Sequence, residues 1–135
     1  MILVYSYYCL DIIHEGHLLQ LKNAKAIAGP DGRSIVGILT DEAVMEKKSC
    51  PAIPFVERVR IAQSIDCVDV VVPQVTYSPL DNVKAIGASV LMESASHSTE
   101  DIRKAHACMA ELGGQVITTP YYPCQSSTDI KERCR

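Results

Sequence analysis

The chain opens on a β-forming run within residues 1–8 that stops at the polar stretch DIIHEGH (11–17). From His17 onward, Leu18, Leu19, Leu21, Ala24 and Ala28 recur among lysines as far as GPDG (29–32), a spacing that predicts an amphipathic helix. SIVGIL (34–39) is almost continuously apolar, the pattern of a strand covered on both faces. TDEAVMEKK (40–48) is polar and predicts a short helix or ordered loop. Pro54 opens the amphipathic PFVERVRIAQSI, where proline suits a first helical turn. VDVVV (68–72) reads as a third buried strand, LDNVKAI (80–86) as a short helix and ASVLM (88–92) as a fourth strand. Ser98 is placed to cap TEDIRKAHACMAEL, in which Ile102, Ala105, Met109 and Leu112 share a face and which Gly113 and Gly114 end. QVITT (115–119) predicts a fifth strand, and SSTDIKER (126–133) a short capped helix.

Strands alternating with helices imply an α/β fold: a five-stranded, mostly parallel sheet with helices on both faces. A length of 135 residues suits one domain spanning 1–135. In such folds ligands bind beyond the carboxyl ends of the strands, near helix N-termini, and DIIHEGH follows the first strand. Composition narrows the classes further. A net charge of −3 argues against general binding to nucleic acid or to an anionic membrane. No apolar run approaches the roughly 20 residues of a membrane span. The N-terminal MILVYSYYCL is too short, and lacks the basic flank, for a signal peptide. Six scattered cysteines with no C-x-x-C pair read as reduced thiols in a cytoplasmic protein rather than a disulfide framework.

His14 and His17, three apart, share one face of a helical first turn, and Gly16 between them lets a ligand approach closely. The helix N-terminus adds unpaired N–H groups and partial positive charge. Together they can hold a phosphate and stabilise charge developing on it. A zinc site is the rival use, but it needs a further ligand, and His97 and His106 lie far along the chain. Local capping or packing of the two imidazoles is the plainer alternative.

HEGH fits the H-x-G-H signature of the nucleotidyltransferase superfamily, and DIIHEGHLLQLKNAK (11–25) resembles the opening of its cytidylyltransferases. ILTDEAVMEKK (38–48) resembles their second-strand exit with its following lysine. ERVRIAQSIDCVDVVVP (57–73) resembles a further segment of the family, and SSTDIKER its closing S-(S/T)-T motif. GILTDEAV, VVPQ and ELGG, with a later tyrosine and SST, are similar to cytidylyltransferase domains of phosphonate biosynthesis that are often fused to phosphoenolpyruvate mutases. The resemblance implies a Rossmann-like nucleotidyltransferase fold, commonly homodimeric, and possible fusion to a mutase domain. It implies transfer of CMP from CTP to a small phosphonate, with 2-hydroxyethylphosphonate favoured over 2-aminoethylphosphonate because no acidic cluster for an ammonium is evident. Glycerol-3-phosphate cytidylyltransferase, an adenylyltransferase, or a nucleotide-binding domain with reduced catalysis are the alternatives.

By the same resemblance His14, His17 and Lys47 are the catalytic candidates. Cys9, Leu10, Gly16, Arg58, Ser126, Ser127 and Thr128 would bind the nucleotide and its phosphates. Tyr8, Asp11, Glu93, His97 and Tyr121 would frame the base or the acceptor, Asp11 by orienting the histidine loop. Mg²⁺ is expected on the nucleotide phosphates, with no protein ligand assigned. The chain departs from the family pattern at three places. Tyr8 stands where a small residue is usual, ESASH (93–97) replaces an acidic segment, and YYPCQSST (121–128) lacks the arginine of R-T-x-G-I-S-T-T. Lys131, Arg133 and His97 are candidates to supply the missing cation.

Overall fold

A computed structural model describes residues 1–119. Its elements follow in the order β1 (Leu3–Tyr8), α1 (Glu15–Ala28), β2 (Arg33–Leu39), α2 (Asp41–Met45), α3 (Phe55–Gln63), β3 (Val70–Gln74), α4 (Leu80–Ile86), β4 (Val90–Ser94), α5 (Thr99–Glu111) and β5 (Gln115–Thr119). The closing helix expected at 126–133 lies outside the described residues.

The strands form one sheet in the order β3-β2-β1-β4-β5, and every adjacent pair is parallel. Alternation along the strands sends side chains to opposite faces. Val4, Val36 and Val90 pack under Leu21, Ala24 and Ala28 of α1 and Ala62 of α3. Tyr5, Ile35 and Leu91 pack under Val83 of α4 and Ala105 and Met109 of α5. The chain winds outward from β1 to β3, then crosses back to β4. The order therefore reverses between β1 and β4, and a crevice opens beyond their carboxyl ends, the usual ligand position in such sheets.

Four sequence expectations shift in register. Helix α1 begins at Glu15 rather than His17, because the imidazoles themselves supply its capping bonds. Pro54 is the N-cap of α3 and lies just outside its first turn. Strand β3 starts two residues late. Asp69 is withdrawn from the strand by accepting the Ser34 N–H at 2.8 Å and pairing with Lys25 at 2.8 Å. β3 is also an edge rather than a buried strand, with Val70 42% exposed. Likewise β4 runs on to Ser94, carrying the buried Glu93 into the crevice. Beside them Gly37 leaves room for the Tyr5 hydroxyl to donate to Gln74 Oε1 at 2.6 Å; a Cβ there would stand 1.9 Å from that hydroxyl oxygen.

Candidate active site

The crevice between β1 and β4 is a cleft of about 570 Å³, within the ~300–1,000 Å³ usual for small-molecule sites. Tyr8, Cys9, Leu10, Asp11, His14, Gly16, His17, Glu93 and His97 all line it. Leu10 turns the chain from β1 towards α1 with φ at +55°, a left-handed conformation unusual for leucine. Its side chain is completely buried against Leu21 and Ile38, which holds the strained turn in place.

The first turn of α1 carries a capping box made of two histidines. The Gly16 N–H donates to His14 Nδ1 at 3.1 Å, and the His14 N–H donates to His17 Nδ1 at 3.3 Å. A neutral imidazole that accepts at Nδ1 carries its proton on Nε2. Both rings, with centroids 4.0 Å apart, therefore present Nε2–H donors without needing a positive charge. Burial, the neighbouring His14 and then Lys48 lower the His17 pKa to about 4, so His17 is neutral at physiological pH. The helix terminus and two oriented N–H donors make a preorganised site for an oxyanion.

The opposite wall is built around Glu93, which is 2% exposed. Its carboxylate accepts from the Tyr7 hydroxyl at 2.9 and 3.0 Å and contacts His97 Nδ1 at 2.5 Å. Burial above all, then the charge of Glu93, pushes the Tyr7 phenol far above its ordinary pKa, so Tyr7 acts as a donor. Burial also raises the Cys9 thiol, leaving it a neutral wall group rather than a nucleophile.

Two expected phosphate ligands stand elsewhere. Arg58 is 0% exposed. Its Nη1 donates to the Cys9 and Leu39 carbonyls at 2.7 Å each, Nε to the Ile53 carbonyl at 2.9 Å, and Nη2 to Asp41 at 2.6 Å. The guanidinium is a buried clamp and does not line the cleft. Lys47 lies over the Tyr77 ring and within 3.6 Å of Asp101, facing a side groove. Its neighbour Lys48 lines the cleft instead. Asp11 accepts from the Ala52 and Ile53 N–H groups, in the loop before α3, at 3.0 and 2.7 Å. It is thus a loop anchor rather than an acceptor ligand. Tyr121, Ser126, Ser127 and Thr128, with Lys131 and Arg133, lie outside the described residues.

Sequence reasoning passed over Tyr7, Lys48 and Thr119, which also line the cleft. The signal for Tyr7 was available: the last residues of β1 both reach the crevice, one from each face of the sheet. Among the described residues no group of three or more His, Cys, Asp or Glu is arranged to hold a metal. No described helix is long and apolar enough to cross a membrane, and Cys9, Cys50, Cys67 and Cys108 are free thiols.

Residues 9–133 match the cytidylyltransferase-like family. The chain belongs to that family. The paired histidines lie within the matched span, at the H-x-G-H motif of the sequence. Among curated relatives, the bifunctional protein HldE of Acidiphilium cryptum is 32% identical over 129 residues, covering 94% of this chain and 26% of the relative. HldE of Rhodopseudomonas palustris is 31% identical over 129 residues, with 94% and 26% coverage. The chain thus spans about a quarter of the length of these relatives. The crystal structure of the lipopolysaccharide core biosynthesis protein of Thermoplasma volcanium superposes with a TM-score of 0.75 at 19% identity, covering 90% of this chain and 97% of that one. A protein of unknown function from Archaeoglobus fulgidus gives a TM-score of 0.64 at 19% identity, covering 87% and 98%. These structural likenesses show the α/β, Rossmann-like fold.

Proposed function

We propose that this domain transfers CMP from CTP to a small phosphonate, 2-hydroxyethylphosphonate being the favoured acceptor, and releases pyrophosphate. The observation that carries the reading is the pair of Nε2–H donors fixed by the histidine capping box at the start of α1. An acceptor oxygen, already ionised, attacks the α-phosphorus; the new P–O bond forms as the bond to the β-phosphate oxygen breaks. No strong base is needed. Catalysis is alignment and charge neutralisation, as in phosphoryl transfer generally. His14 and His17 donate to the non-bridging oxygens, where negative charge is redistributed in the transition state. Lys48, across the same cleft, neutralises the phosphate tail in the role first assigned to Lys47.

Mg²⁺ supplies further charge neutralisation when the nucleotide brings it. Glu93 and Asp11, the carboxylates lining the cleft, already accept hydrogen bonds from protein groups, which suits a metal held through phosphates and water. The preference for CTP and a phosphonate rests on the sequence motifs GILTDEAV, VVPQ and ELGG. Fusion to a mutase domain and a homodimeric state belong to the same reading.

The test is pyrophosphate release with CTP or ATP, Mg²⁺ and a panel of 2-hydroxyethylphosphonate, 2-aminoethylphosphonate, glycerol 3-phosphate and nicotinamide mononucleotide. Release with CTP and the hydroxylated phosphonate is expected. Release with ATP alone, or only with glycerol 3-phosphate, transfers the assignment to that nucleotide or acceptor. CTP binding with no turnover on any acceptor replaces it with a nucleotide-binding role.

A further inference from the structure

The two walls of the cleft use the Nδ1 atoms of their histidines in opposite ways. On the α1 side, backbone N–H groups occupy both Nδ1 atoms, so the neutral rings already carry Nε2–H. On the β4 side, His97 Nδ1 faces the buried Glu93 carboxylate, with the Tyr7 hydroxyl 3.1 Å away. A carboxylate can only accept, so the proton of that contact sits on Nδ1, and His97 gains an Nε2–H only as an imidazolium. Its side chain is 22% exposed and lines the cleft. Since Nδ1 is turned inward to Glu93, the ring edge bearing Nε2 is the one presented to a ligand.

Charge explains why the pair is built this way. A carboxylate 2% exposed in the wall of a cleft that receives polyanions would repel them unless its charge were masked. An imidazolium at His97, held through Nδ1 by that carboxylate, would mask it and place a cation directly in front of it. We propose that His97 binds a tetrahedral phosphorus oxyanion through Nε2, with Glu93 and Tyr7 as positioning residues that fix its ring. The proposal rests on the nucleotidyl-transfer reading, which brings two such groups into the cleft: the nucleotide's phosphate tail and the acceptor's phosphonate.

The experiment compares wild-type protein with His97→Ala, Glu93→Gln and the double variant, each checked for folding by circular dichroism. CTP and inorganic pyrophosphate binding are measured by calorimetry, and acceptor KM by pyrophosphate release. His97→Ala should weaken one of these by about tenfold or more, since it removes a charged donor and exposes the Glu93 charge. Weaker CTP and pyrophosphate binding assigns His97 to the nucleotide; a raised acceptor KM with unchanged CTP affinity assigns it to the acceptor. Adding Glu93→Gln should restore part of the loss, because the repelling carboxylate is then neutral. A merely structural contact would make the double variant no better than His97→Ala. If His97→Ala does not fold, His97→Gln, which keeps a hydrogen bond to Glu93 but no charge, is read in the same way.

Affinities within twofold of wild type, or no recovery in the double variant, overturn the assignment while leaving the activity intact. A wild-type protein that binds neither CTP nor pyrophosphate and turns over no acceptor overturns the functional reading, and this assignment with it.

Discussion

His17 does two jobs with one ring: Nδ1 caps the helix and Nε2 faces the cleft. His17→Ala should therefore lower kcat by roughly 10²–10³-fold, about 3–4 kcal/mol of transition-state stabilisation, and cost stability only about 1 kcal/mol for the lost cap. Steady-state kinetics beside a denaturant melt separates the two effects. Of the adjacent lysines, Lys48→Ala should weaken CTP binding while Lys47→Ala leaves it near wild type; calorimetry distinguishes them. Arg58→Ala should destabilise the fold by about 3–5 kcal/mol, because three carbonyls and Asp41 lose a buried charged partner. Urea unfolding measures that loss. The histidines were legible because glycine and spacing marked them. Arg58 was misread as a ligand although a signal was present: it sits among Phe55, Val59 and Ala62 on the apolar stripe of α3, four residues before Ala62. A charged residue on the inner stripe of a helix is one the interior has recruited.

Elements were more legible than their ends. Apolar runs located β1, β2 and β5, and the spacing of Ala105 and Met109 located α5, whose Ser98 cap accepts from the Asp101 N–H at 3.1 Å. The shifts in β3 and β4 come from Asp69 and Glu93, polar side chains whose partners lie on other strands or loops and leave no periodic trace. Gly37 is a similar case. In SIVGIL it reads as a weak point in a strand, yet it admits the Tyr5–Gln74 hydrogen bond joining β1 to the end of β3 across β2. Gly37→Ala should displace Tyr5 and leave buried polar atoms without partners, a loss of about 2–3 kcal/mol readable as a lower melting midpoint. A companion Tyr5→Phe change should recover only a small part of it, since the hydroxyl clash is then gone but the ring carbon still stands 2.7 Å from the new Cβ.

For the molecule as a unit, the reversal of strand order between β1 and β4 explains why residues from both ends of the described chain share one cleft. It also ties the site to stability. His17 has a folded pKa of about 4 against about 6.5 unfolded, so between those values the unfolded chain binds more protons. Its contribution to stability is complete above about pH 6.5 and falls as pH drops towards 4, by at most about 1.4 kcal/mol per pH unit. The negative charge of a bound polyanion raises the folded pKa of His17 towards its unfolded value, so saturating CTP should flatten that decline, which melts across pH with and without CTP would reveal.

The placement of Pro73 has a consequence for the molecule in crowded solution. Gln74 turns its carbonyl inward to the Thr40 N–H, so the adjacent Pro73 turns its own backbone outward, where its carbonyl meets Asn82 Nδ2. The outer rim of VVVPQ thus lacks a donor where another chain would try to zip on, and that chain's approach is further obstructed by the Asn82 side chain. Three consecutive valines would otherwise be an invitation to stacking. Pro73→Thr should leave the fold intact yet promote concentration-dependent scattering on prolonged incubation, marking this proline as a guard against open-ended strand pairing.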